Sequence, residues 1–154
     1  MTWTTFFGPE LQTKDGVFPT DQVLEGKKYV GIYFSAHWCP PCRGFTPLLS
    51  ESYEQFIDDD IKDVAIVFVS SDKEDASFNE YYNDMPFYAL PFKYREQKDV
   101  LAKQVFEVKT IPTLVFLDAA GKTVTKDGRQ LVVDARGDPT RVLAALAAVE
   151  ATQP

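Results

Sequence analysis

An α/β fold, with a central mixed β-sheet flanked by helices and preceded by an N-terminal β-hairpin, is predicted by three features of this 154-residue chain. Two dense apolar runs of strand length, 27–34 and 63–72, are separated by a stretch with helical periodicity, the pattern of parallel strands joined by a crossover helix. A third apolar run, 112–118, is followed by the turn AAGK (119–122) and the short segment TVTKDG (123–128), which reads as an antiparallel hairpin at one sheet edge. The composition, 45% hydrophobic and 14% aromatic without repeats or an interdomain linker, fits one domain over 1–154 with a substantial core.

In chain order, LQTKDGVFP (11–19) places Asp15-Gly16 between two short runs and predicts the N-terminal hairpin. KKYVGIYF (27–34) is β-branched and aromatic between polar flanks, as a buried strand requires. Beyond it, Phe45, Leu48, Leu49, Ser52, Tyr53 and Phe56 recur at helical spacing, and the acidic run 58–60 closes that helix. DVAIVFVSSD (63–72) is the second strand, and KEDASFNEYYND (73–84) sets Phe78, Tyr81 and Tyr82 on a helical stripe. MPFYALPF (85–92) reads as a loop with two rigid turns whose aromatic residues tuck into the core; the alternative makes them an apolar rim that accepts a partner. QKDVLAKQVF (97–106) is a short helix. Finally, GDPTRVLAALAAVE (137–150) opens with Asp138 as N-cap and Pro139 at the first helical position. It aligns Val142, Leu143, Leu146 and Val149 toward the sheet.

A formal charge of −7, with Lys27-Lys28 as the longest basic run, argues against a nucleic-acid partner, because phosphate neutralisation needs clustered cations. The start MTWTTFFGPELQ has neither a basic n-region nor a sustained apolar stretch, and no later segment has the length and apolarity of a membrane span. A cytoplasmic location, extending to the nucleus, and a monomeric state without membrane association are the expectations. Only two cysteines occur, so no framework of structural disulfides is expected.

Both cysteines lie in SAHWCPPCRG (35–44), separated by two prolines. A Cys-x-x-Cys opening a helix after a buried strand is the setting in which a thiol becomes a nucleophile: unpaired N–H groups and the helix dipole favour the thiolate, lowering its pKa from about 8.5 toward about 7 or below. Cys39 would attack, and Cys42, one turn in and better shielded, would resolve the mixed disulfide. Pro40 suits a first helical position, which needs no intrahelical N–H, and Pro41 stiffens the loop. Fewer donors to the thiolate imply a reductase or exchange potential, about −200 to −270 mV.

Other readings of the pair carry less. Inert core cysteines sit poorly with Pro-Pro between them and Arg43 after them. Structural zinc takes four ligands, and His37, two residues before Cys39, does not follow a common spacing; an iron–sulfur cluster shared between chains would be the remaining metal option. No metal site is expected. His37 is either a tuner of Cys39 or a solvated loop residue, and Trp38 is either a flat surface offered to a partner or a core residue.

WCPPC, the β-α-β order and the later KTIPTLVF (109–116) together resemble the thioredoxin superfamily over nearly the whole chain. Within it, FSAHWCPPCRGFTPLL (34–49) and SSDKEDASFNEYYNDMPFYALPF (70–92) are similar to the tryparedoxin and nucleoredoxin group. The resemblance implies a thioredoxin-like fold and a protein-disulfide reductase with a redox-active Cys39–Cys42 disulfide and no bound cofactor. It also implies a cis Pro112 beside the thiols, and substrate contacts from Trp38, Pro40, Pro41, Thr110 and Ile111. Its electrons would come from an NADPH-dependent flavoprotein reductase or a low-molecular-weight dithiol, its substrates would be protein disulfides, and a redox-sensitive binding module without turnover is the rival reading. The sequence departs from the superfamily at Tyr33, where thioredoxins place a buried aspartate six residues before the first cysteine. Asp72 or Glu74 is the substitute base to look for, although acids after a strand are usually solvated.

Overall fold

The computed structural model describes residues 2–153. Among these residues seven strands form one sheet in the order β2-β1-β5-β4-β3-β6-β7. They are β1 (Glu10–Thr13), β2 (Gly16–Pro19), β3 (Tyr29–Ser35), β4 (Val64–Ser70), β5 (Tyr88–Ala89), β6 (Thr113–Asp118) and β7 (Thr123–Thr125). The helices are α1 (Thr4–Phe7), α2 (Thr20–Leu24), α3 (Pro40–Asp58), α4 (Asp75–Tyr82), α5 (Arg95–Asp99), α6 (Gly128–Asp134) and α7 (Pro139–Ala151), with a π-helical segment, Val100–Val105, continuing α5. β3 runs parallel to β4, through the α3 crossover, and antiparallel to β6, so the sheet is mixed.

Every residue of β3 and β4 is buried, which the uninterrupted apolar runs demand, and their alternation sorts two cores. Tyr29, Tyr33, Val64, Ile66, Phe68, Leu114 and Phe116 face α3, α4, α6 and α7. Val30, Ile32, Phe34, Ala65, Val67, Val69, Val115 and Leu117 face the other way, against Trp3, Phe7, Leu24, Leu101 and Phe106. Two glycines permit close packing. A Cβ at Gly31 would stand 3.0 Å from the Phe116 ring, and one at Gly128 would meet the Leu114 carbonyl oxygen at 2.7 Å. The first lets an aromatic ring lie flat on β3; the second lets α6 begin against β6.

The predicted hairpins and long helices form where expected, including the Asp138 carboxylate on the Arg141 N–H at 3.0 Å. Several boundaries differ. α1, α2 and α6 have no counterpart among the elements predicted from the sequence, because four to seven residues are too few to display a helical period. The β7 segment stops at Thr125, since α6 starts at Gly128. MPFYALPF contains the two-residue strand β5, which bridges the N-terminal hairpin to β4 while Met85, Phe87 and Leu90 are buried. Its core reading therefore holds, with a strand inside the expected loop. The 97–106 helix widens from α to π: the Phe106 N–H reaches the Leu101 carbonyl, five residues back, at 3.0 Å. Pro47 lies inside α3, where it leaves one rung of the helix ladder without a donor.

Candidate active site: a dithiol capping a helix

Cys39 and Cys42 are joined as a disulfide with their Cα atoms 5.2 Å apart, at the point where the chain leaves β3 and enters α3. Cys39 is the N-cap residue, extended at φ −94° and ψ 110°. Pro40 and Pro41 occupy the first two helical positions and own no N–H, so the first free donor of the helix belongs to Cys42. That N–H points back at Cys39 Sγ, 3.3 Å away. The sulfur thus takes the place that a serine or aspartate oxygen takes in an ordinary N-cap, and negative charge there is favoured by both the hydrogen bond and the dipole. The prolines therefore remove two donors and leave the third aimed at the sulfur.

The two sulfurs are unequal. Cys42 is fully buried, whereas Cys39 keeps 5% of its surface exposed. Ala36 and the half-buried Ile111 pack around the pair, and the Ile111 carbonyl oxygen lies 3.7 Å from Cys39 Sγ. The Ile111–Pro112 bond is cis, and Pro112 is buried. Thr110 is exposed, its carbonyl accepting from the Thr113 hydroxyl at 2.6 Å. Trp38 is 58% exposed, which removes the core reading; its indole N–H donates to the Ser71 carbonyl at 3.2 Å and holds the ring beside the disulfide. Trp38, Ser71, Thr110 and Ile111 line one cleft of about 300 Å³. Of the residues singled out in the sequence, the two cysteines and the buried Pro112 do not line it, and Pro40 and Pro41 also lie outside it, exposed on the first turn of α3.

Asp72 and Glu74 diverge. Glu74 is exposed before α4, as acids after strands usually are, but Asp72 is only 3% exposed. One Asp72 oxygen accepts the backbone N–H of His37 at 2.9 Å and the other accepts the Ser70 hydroxyl at 2.7 Å. The carboxylate therefore fastens the loop before Cys39 to the end of β4, with both oxygens occupied by donors other than a thiol. Arg95 braces the same corner, donating to the Ser70 carbonyl at 2.9 Å while its guanidinium lies 3.9 Å over the Phe92 ring. Burial holds the Arg95 pKa below the usual guanidinium range.

Beneath the dithiol, where a buried acid was missing from the sequence, hydroxyls form a chain. Tyr33 and Thr46 are 2.6 Å apart, Thr46 and Tyr81 2.5 Å, and Tyr81 and Ser35 2.9 Å. Thr46 sits one helical turn beyond Cys42, and the His37 imidazole stacks on Tyr81 at 5.3 Å, so this histidine is half-buried rather than solvated. Burial pushes the Tyr33 phenol well above its ordinary range, which keeps its proton in place. In the sequence Tyr81 stands out only as part of a helical stripe, and Thr46 and Ser35 do not stand out at all. Thr46 lies four residues after Cys42, on the same helix face, and that spacing was the available signal.

A helix-capping sulfur with a shielded partner, beside a cis-proline loop on a mixed sheet, defines the dithiol–disulfide class of redox protein. The sequence model of a thioredoxin-like family matches residues 26–123. The chain is 43% identical to tryparedoxin of Trypanosoma brucei brucei over 70% of its own length and 73% of that protein's. It is 49% identical to probable nucleoredoxin 1 of Arabidopsis thaliana over 78% of its length but 20% of that protein's, and 41% identical to human nucleoredoxin over 82% and 28%. Tryparedoxin I from Leishmania major superposes with a TM-score of 0.76 at 40% identity, covering 84% of this chain and 88% of that one. The chain belongs to the thioredoxin-like family, within its tryparedoxin and nucleoredoxin group. It spans less than a third of the length of the nucleoredoxins it matches. Among the described residues, no helix is long and apolar enough to cross a membrane and no metal-binding cluster gathers.

Proposed function

We propose that this chain reduces protein disulfides by dithiol–disulfide exchange. The observation that carries the reading is the inequality of the two sulfurs: one caps the helix and keeps a small exposed edge, and the other is fully buried behind it. In the reduced protein the Cys39 thiolate attacks one sulfur of the substrate disulfide, forming a mixed disulfide and expelling the other sulfur as a thiolate that takes up a proton. Cys42 gives up its proton and attacks Cys39 Sγ, releasing the second substrate thiol and closing the Cys39–Cys42 bond. Two electrons pass from the dithiol to the substrate, so the chemistry requires no bound cofactor. Trp38, Pro40, Pro41, Thr110, Ile111 and Pro112 form the substrate-facing surface around this step.

A reductant must restore the dithiol. A low-molecular-weight dithiol is one class, and its support is that tryparedoxin II, a structure 36% identical with a TM-score of 0.78, was solved in complex with a low-molecular-weight thiol compound, glutathionylspermidine. An NADPH-dependent flavoprotein reductase is the other. Within this reading residues 1–154 work as one thioredoxin-like unit, monomeric and cytoplasmic, with the nucleus as a further location. Catalytic reduction of insulin by dithiothreitol tests the proposal, together with capture of mixed disulfides by Cys42→Ser. Stoichiometric binding of one partner without turnover would instead favour a redox-sensitive binding module.

A further inference from the structure

The cleft beside Trp38 carries a charge pattern at odds with the rest of the chain. Its floor is apolar, made by Phe34, Ala102, Val108 and Ile111, while Lys98, Lys103 and Lys109 stand around it, and no acidic residue lines it. These lysines come from three stretches: Lys98 from α5, Lys103 from the π-helical segment and Lys109 from the loop leading to Pro112. Asp99 is the carboxylate nearby. It lies 3.4 Å from Lys98 and 4.0 Å from Lys103, exposed, and so shares one negative charge between two ammonium groups. Among the described residues Lys109 has no ion-pair partner, and Glu107, though exposed two residues away, is not part of the lining.

The chain as a whole is at −7. At physiological salt, charges more than about 8 Å apart are largely screened, so a docked partner senses the lysines at this cleft more than the net charge. A cleft on the other side of the active-site helix offers a contrast, since Arg43 there is matched by Asp84 beside His37, Thr46, Ser50 and Tyr81. Only the Trp38 side is one-signed. It is also the side lined by Ile111, whose carbonyl lies 3.7 Å from Cys39 Sγ, and by Thr110 just before it, so a substrate lying along that loop places the residues flanking its disulfide among the lysines.

We propose that the Trp38 cleft selects partner proteins whose disulfide is flanked by acidic residues, which Lys98, Lys103 and Lys109 receive. This rests on the disulfide-reductase reading of the dithiol. Two peptides with the same disulfide, one flanked by Asp and Glu and the other by Lys and Arg, test it, with the neutral hydroxyethyl disulfide as reference substrate for the unsubstituted protein. The acidic peptide is expected to show about ten-fold higher kcat/KM at low ionic strength, an advantage that shrinks toward parity near about 0.5 M salt. The double substitution Lys103→Glu and Lys109→Glu should invert the ratio of the two peptides. Equal rates for both peptides, with hydroxyethyl disulfide turned over, would overturn the charge selection and leave the reductase intact. So would an acidic preference that survives high salt and the double substitution. If hydroxyethyl disulfide and both peptides go unreduced, the reading of the dithiol falls and this inference falls with it.

Discussion

The two faces of the sheet are cut from the same strands yet hold different chemistry. β3 sends Tyr33 and Ser35 to one side and Ile32 and Phe34 to the other; β4 sends Phe68 one way and Val67 and Val69 the other. The face under α3 is rich in aromatic rings, with Phe68 stacked on Phe78 at 5.8 Å and edge-on to Tyr81 at 5.5 Å, and it keeps four hydroxyls in one hydrogen-bonded chain. The opposite face is mostly aliphatic along the strands. Aromatic residues with polar tips let a core stay packed and still deliver hydroxyls beneath the dithiol, while the dry face supports the helix and loop that shape the cleft beside Trp38. A buried hydroxyl is costly without a partner, so these residues come as a connected set.

Changes on either face should act differently from changes at the dithiol, and the largest separation comes from Cys39→Ser. It is expected to reduce disulfide turnover to the uncatalysed background while the fold, read by circular dichroism, persists. Next in size, Phe68→Ala on the aromatic face should cost about 3–5 kcal/mol in denaturant unfolding, because a fully buried ring leaves a cavity among four aromatic neighbours.

Alkaline pH should destabilise chiefly through the buried phenols of the aromatic face. Burial raises the Tyr33 and Tyr53 phenols above their ordinary pKa of 10.0. Below that pH both folded and unfolded chains keep the protons and the stability is intact. Above it the unfolded chain ionises first, so stability declines as pH climbs, with a slope of up to about 1.4 kcal/mol per pH unit for each phenol. Unfolding titrations of Tyr33→Phe should show a shallower decline. The smallest effect belongs to the aliphatic face: Ile32→Val removes one methylene and should cost about 0.5–1.5 kcal/mol, with the alkaline slope unchanged.

How far each feature was legible in sequence follows from its range along the chain. β3, α3, β4, α7 and both hairpins declare themselves by local period, turn and cap. β5 does not, since two residues become a strand only by meeting Gln12 on β1 and Val67 and Phe68 on β4. The π-helical segment was legible as a helix but not as a wide one, because the same apolar positions serve either hydrogen-bond pattern. At the site, Cys39 and Cys42 are local and were plain, and the cis state of Ile111–Pro112 was implied by family resemblance. Asp72 was expected in water; it is buried because the His37 N–H, 35 residues away in sequence, needs an acceptor. The bond between Ser35 and Tyr81 spans 46 residues and had no local signal.

The account turns on Cys39 being ionised near neutral pH while Cys42 is withheld. Alkylation of the reduced protein across pH, with each cysteine followed separately by mass spectrometry, measures this directly. Cys39 should react first with a midpoint at or below about pH 7, and Cys42 far more slowly. A Cys39 midpoint near about 8.5, or equal labelling of the two thiols, would contradict it.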